Sequence, residues 1–307
     1  MGSFLQNVVN ALQWGSFYAL IALGYSMVYG VLMLFNFAHG DIFMVGAYIG
    51  FFIATGLISL SSLGILTLPS WALLALTILL AMFLTSFVGM LVERIGYRPL
   101  RGAPRASAAI TGLMIGIILE TGNLAILGAT RKKFPDIIET TTFQLGEVSL
   151  TNTKILIVLI SLLLMFALHQ FIQRTKWGMA MRAMSSDFLV VPLMGVPLNT
   201  IAALTFGIGS ALAAAAGVFY GLAYPVLDPY MGIEYGWKAF VAAILGGRGS
   251  VVGAAIAGFL MGFLDIFVAT YFPSTMRNLI SFSIILIILT FRPHGFFGTA
   301  HSASLRL

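Results

Sequence analysis

The chain has 307 residues, of which 60% are hydrophobic and only 8% charged, and its formal net charge is +6. A soluble domain is about 25% charged, so too few charges remain here to wet a globular surface, and the mean hydropathy is +1.02. The positive charge is scattered and forms no basic stripe for nucleic acid, and the absence of Cys excludes disulfide frameworks, thiolate metal sites and a Cys nucleophile.

Lipid is therefore the expected solvent, and every backbone group must pair within helices or a closed barrel. The apolar runs are long and lack a period of two, which selects helices. Met1 to Asn10 carries no Lys or Arg, so the first run reads as a retained span and not as a cleavable signal. Runs follow at 10–34, 37–59, 68–92, 107–129, 153–173, 200–223, 238–270 and 276–291. The run at 238–270 is too long for one span and is interrupted by Gly246-Gly247-Arg248-Gly249-Ser250. These features predict an all-α fold: one polytopic helical bundle over 1–307, with eight or nine crossings and a broken helix near 246–250.

Orientation follows the Lys/Arg bias. Arg94, Arg98, Arg101 and Arg105 follow the third span, and Arg174, Lys176 and Arg182 follow the fifth. With both loops (about 93–106 and 174–199) inside, Arg248, Arg292 and Arg306 join them in a nine-pass chain. Arg131, Lys132, Lys133, Lys154, Lys238 and Arg277 remain outside, the first three in an outer loop at about 130–152.

In chain order, Asn36-Phe37-Ala38-His39-Gly40-Asp41 is the first polar interruption, set at a helix start. Interrupted hydrophobic segments are where bundles expose helix termini to a solute, so Asn36, His39, Asp41, Gly246, Gly247 and Gly249 are candidates for a translocation path or helix break. Glu120 joins them as a carboxylate within an apolar run, beside Asp265 and Glu234; such groups are costly in lipid and face the bundle interior or water. Interhelical bonding is the competing role for each. His39 and His169 lack a third ligand at metal-site spacing, so no metal is expected. Small residues four apart (Gly46/Gly50, Gly112/Gly116, Gly258/Gly262) suit close helix packing.

The loop from Arg174 to Gly195 is unusually long for a bundle connection, which typically runs to roughly 2–8 residues. Met181, Met184, Phe188 and Val191 share one helical face. Ser185 or Ser186 can cap a second short helix, which Pro192 bends and Gly195 ends. Adaptable Met side chains suit insertion into a partner's groove; an amphipathic helix on the bilayer surface is the alternative. No Gly-x-x-x-x-Gly-Lys-Ser/Thr pattern occurs, so any ATP that drives transport binds another chain.

Read together, several segments resemble the permeases of branched-chain amino-acid ABC importers, the LivH type. The likeness rests on Gly15 to Gly30, Asn36 to Asp41, Glu93-Arg94 with Tyr97 to Arg101, Gly178 to Ala183, Leu193 to Val196, Lys238 to Ser250 and Arg292 to Gly295. The chain departs from the familiar pattern at Arg248 and Pro192. The resemblance implies a multi-pass protein of the bacterial inner membrane that carries leucine, isoleucine or valine by alternating access. It implies a second permease of the LivM type, two cytoplasmic ATPase subunits holding ATP and Mg, and a periplasmic or tethered binding protein. It further implies an ATPase-coupling role for Gly178, Met181, Arg182, Met184, Asp187, Phe188 and Gly195. An ion-coupled carrier or channel using Glu120, Asp265 or Asp41 is the rival reading; a membrane enzyme is weaker, because no span clusters His with carboxylates.

Overall fold

In lipid a helix closes its backbone hydrogen bonds within the segment, and the chain takes that solution almost throughout. The computed structural model describes residues 2–186, 190–247 and 249–298. Its helices are α1 (Gly2–Leu32), α2 (His39–Ser62), α3 (Ser70–Val92), α4 (Arg105–Leu127), α5 (Asn152–Arg174), α6 (Lys176–Ser186), α7 (Leu198–Ala223), α8 (Met231–Gly246), α9 (Val251–Tyr271) and α10 (Arg277–Phe291). Seven of these are long and apolar enough to cross a membrane: α1 to α5, α7 and α9. The protein is a multi-pass, all-α membrane bundle.

The helices α8 and α10 have 16 and 15 residues. At about 1.5 Å per residue, neither matches a hydrocarbon core of about 30 Å by itself. The predicted long run thus divides as expected, into a short α8 and a full-length α9. The connection between α4 and α5 holds more than a helical reading provides. Strand β1 (Lys132–Lys133) pairs with β4 (Val226–Leu227), and β2 (Thr142–Leu145) forms an antiparallel hairpin with β3 (Val148–Thr151). The hairpin is pinned to the start of α1, where Ser149 N donates to Gln6 Oε1 at 2.8 Å.

The core forms around α1, whose residues from Trp14 to Leu23 are buried on every face. A helix that is apolar all round belongs at the centre of a bundle. Its neighbours are α9, α7 and α8. Small residues allow the close approaches: Gly258 and Gly262 of α9 lie against Ala19 and Gly15 of α1, and a Cβ on Gly46 of α2 would stand 2.6 Å from Ala214 Cα of α7. Between apolar helices in lipid, such contact supplies much of the association energy. On the periphery, α3, α4 and α5 expose Phe83, Phe87, Ile117, Ile118, Leu159 and Leu163.

One end of the bundle collects the basic loops. A π-helical turn, Glu93–Tyr97, follows α3, and the buried Glu93 pairs with Arg101. Arg101 also donates to Asn199 Oδ1 at 2.6 Å, tying this turn to the start of α7. Val31 near the end of α1 packs with Met181, Met184 and Ile201, while Gly249 abuts Gly30. Residues 93–104, 174–186, 190–197, 247, 249–250 and 292–298 therefore share one end, as the charge bias leads one to expect. Lys238 corrects that bias: it is buried inside the bundle and belongs to neither surface.

Candidate functional site

The turn between α1 and α2 sets the site. Met33 takes a positive φ of 57°, and the chain doubles back into the bundle. The new helix starts beside Tyr25, whose ring meets that of His39 edge-on at 4.8 Å, about two turns before α1 ends. Asn36 is fully buried and holds this turn: its Oδ1 accepts from Ala38 N at 3.2 Å and from the Tyr97 hydroxyl at 3.1 Å. Phe35 and Phe37 pack on Phe240 of α8. Helix α2 therefore begins well inside the apolar layer.

Two glycine notches receive it. On α4, Gly112 faces the Tyr97 hydroxyl and Phe37 N, and Gly116 faces Asp41 Oδ2. On α8, a Cβ at Gly232 would lie 2.6 Å from Asp41 Oδ1, and one at Gly236 would lie 2.6 Å from Gly40 Cα. Any larger side chain at these positions takes space that Asp41 and the α2 backbone occupy. The Gly112/Gly116 spacing thus has a specific task beyond generic packing.

Between α2, α4 and α8 lies a cavity of about 210 Å³. Asp41 and Glu120 line it together with Tyr25, Phe37, Trp237 and Phe240. Sequence reasoning selected the two carboxylates separately; the fold brings them to one cavity. It does not bring the other candidates there. His39 is buried with Nε2 unpartnered and turned towards Gly24. Gly246, Gly247 and Gly249 form a corner at the basic end: Gly247 and Gly249 have φ of +105° and +85°, and Phe296 N donates to Leu245 O at 2.8 Å. Helix α9 restarts there, with Ser250 Oγ accepting from Gly253 N at 3.1 Å. Arg248 lies outside the described residues.

The other face of α8 meets a second cavity of about 580 Å³ at the opposite end of the bundle, lined by Tyr220, Tyr224, Tyr235, Arg131, Asp228 and Glu234. Burial pushes the Tyr224 phenol above its usual ionisation range. Beneath it lies an ionic cluster that the sequence reading missed. Asp265 Oδ2 accepts from Lys238 Nζ at 2.9 Å, Arg277 Nη2 at 2.9 Å and the Tyr18 hydroxyl at 2.5 Å, while Ser281 Oγ reaches Oδ1 at 3.2 Å. The Arg277 guanidinium also lies 5.2 Å over the Trp14 ring. A cation placed within an apolar run, as Lys238 is, was the available signal. For Asp265 the interhelical role holds.

At the basic end, α6 folds back under the bundle. Thr175 opens it: its Oγ1 accepts from Gly178 N at 3.0 Å and donates to Phe171 O at 2.7 Å. Gly178 lies against the Phe171 and Ile172 carbonyls, where a Cβ would collide, and Arg182 donates to Ile172 O. Met181 and Met184 are buried against Val31, Val191 and Ile201. Met181 and Met184 do share one face of α6, while Val191 belongs to a separate 3₁₀ turn, and this methionine face points into the bundle and not towards a partner, because the ends of α1 and α7 offer apolar surface. The side chains left facing out are Trp177 and Met179, then Leu193 and Met194, which are 84% and 79% exposed. Asp187 and Phe188 lie outside the described residues. Ser185 and Ser186 hydroxyls donate back to Arg182 O at 2.7 and 3.3 Å, and the residues that a cap would serve, 187–189, lie outside the described residues. Gly195 ends the 3₁₀ turn Val191–Met194 in the left-handed region at φ +80°, as expected.

Comparison with known proteins agrees with this architecture. The family model described as branched-chain amino acid transport system / permease component matches residues 7–289. The high-affinity branched-chain amino acid transport system permease protein BraD of Pseudomonas aeruginosa is 40% identical over 300 residues, covering 96% of each chain. The LivH permease proteins of Salmonella typhimurium and Escherichia coli K12 are each 36% identical, again with 96% of both chains covered. No solved structure matches the chain.

Proposed function

Because this chain belongs to the branched-chain amino acid transport permease family, we propose that it is a membrane-spanning subunit of an ABC importer for leucine, isoleucine and valine. It works in the bacterial inner membrane beside a second permease of the LivM type. Two cytoplasmic ATPase subunits carry ATP and Mg, and a periplasmic or surface-tethered protein delivers the solute. This chain supplies the path and no nucleotide chemistry; hydrolysis belongs to the partner chains.

The observation that supports this reading most is the structure of 174–186 and 190–197. A conformational change needs a ligand that binds two states differently, and no phosphate-cradling loop exists in this sequence. Helix α6 is anchored on α5 through Thr175 and Arg182 and on α1 and α7 through Met181 and Met184. Its outward surface is the apolar group Trp177, Met179, Leu193 and Met194, at the end where the basic loops gather. A push on that surface is transmitted to three spanning helices, because buried methionines and a side chain-to-carbonyl bond leave it little freedom to slide. ATP-driven closure of the ATPase pair then rocks the bundle between outward and inward access.

The test is purification of the tagged chain from a strain that expresses the neighbouring transport genes. Two nucleotide-hydrolysing subunits are expected to co-purify, with hydrolysis rising when leucine-loaded binding protein is added. A chain that purifies alone and carries leucine down an ion gradient would overturn the proposal.

A further inference from the structure

We infer that the cavity between α2, α4 and α8 is the station at which the permease reads the solute's ammonium group, with Asp41 and Glu120 as the recognising carboxylates. This rests on the proposed function and adds to it a site and a chemical group. Asp41 is only 7% exposed, yet its Oδ1 has no hydrogen-bond partner, and the cavity lies in front of it. Among the described residues, no Lys or Arg lines the cavity. A carboxyl group at this depth needs either a proton or a counter-charge, and an arriving cation supplies the second. The contrast with Asp265 is instructive: there Lys238 and Arg277 neutralise the acid within the chain. At Asp41 the fold has seated an acid between Gly116 and Gly232, whose missing side chains make room for its carboxylate at the cavity wall, and it has left the cation to be supplied from outside.

The remaining walls fit the rest of the solute. Trp237 and Phe240 present aromatic surface to an aliphatic side chain, and aromatic faces also attract ammonium groups. The volume of about 210 Å³ is many times the roughly 10–15 Å³ that one water requires. A small primary amine with a branched apolar body satisfies both acids and rings. Recognition by charge at one end and apolar contact at the other is weak and reversible, which is what a path needs if the solute must leave again.

The experiment uses the complete importer in proteoliposomes, with ATP on the ATPase side and radiolabelled leucine delivered by the binding protein. Two probes are added: 3-methylbutylamine, which keeps the ammonium and apolar tail, and 4-methylpentanoate, which keeps the tail and the carboxylate. Each is first shown by equilibrium dialysis not to displace leucine from the binding protein. In the wild-type complex the amine is expected to slow uptake at concentrations at least ten-fold lower than the acid. Asp41→Asn, which preserves the packing between the two glycines, and Glu120→Gln, at a half-buried position, are each expected to cut uptake at least ten-fold and abolish the preference for the amine. Wild-type uptake by both variants would overturn the inference, as would equal inhibition by amine and acid in the wild type. Failure of the wild-type complex to take up any leucine would instead sink the functional proposal beneath it.

Discussion

Asp265 accepts four hydrogen bonds from four different side chains, and the consequences of removing each partner differ in size. Loss of the acid leaves Lys238 and Arg277 facing each other with their shared counter-ion gone, and Lys238 is almost wholly buried. Removing one member of a buried pair costs about 3–5 kcal/mol. Loss of Lys238 is milder, because Asp265 keeps Arg277, Tyr18 and Ser281. Asp265→Ala is therefore expected to yield little monodisperse protein on size exclusion in detergent. Lys238→Met should yield folded protein with a melting temperature lowered by a few degrees. Equal behaviour of the two variants would show that the cluster is not an ion-pair hub. Asp41 is the opposite case among residues: an acid with an unpartnered oxygen and, among the described residues, no Lys or Arg in the cavity it lines. Its substitution by Asn should spare folding and damage transport.

At the scale of elements, α6 carries the proposed coupling role, and its two faces make separable predictions. The buried face (Met181, Met184) holds the bundle together, so a charge there is expected to unfold the segment. The outward face (Leu193, Met194) exposes most of its surface. Leu193→Glu with Met194→Glu should leave the detergent-solubilised permease monodisperse while reducing co-purified ATPase at least ten-fold. Retention of the full complement of ATPase would place the docking surface elsewhere. The sequence carried part of this division. The Met181/Met184 spacing defined a face, and Gly195 was readable as a left-handed stop. Which way the face points was not readable, because period alone reports that two residues lie together and says nothing of the neighbour they meet.

Across the whole molecule, the architecture was legible because composition controls it: 8% charge and long apolar runs leave helices in lipid as the only economical answer. The break after Gly246 was legible for a related reason, since adjacent glycines and Ser250 state where one helix stops and another is capped. The cavity was not. Its walls come from α1, α2, α4 and α8, and a residue such as Trp237 reads as ordinary apolar sequence until the α1–α2 turn rises to meet it. The ionic cluster escaped for the same reason: Lys238 and Asp265 lie 27 residues apart and only the short α8 brings them to 2.9 Å. Charge counting placed Lys238 at a surface, and burial corrected it.

The proposed function gives the chain a path and a grip at one end, with the motor on a partner. The most direct measurement is uphill leucine accumulation in sealed vesicles containing this chain, assayed with and without the partner permease, the ATPases and ATP. Accumulation is expected only when every component and ATP are present, with none from this chain by itself under any ion gradient. Concentrative uptake by the isolated chain, with no nucleotide supplied, would contradict the claim that its movement is driven from a neighbour.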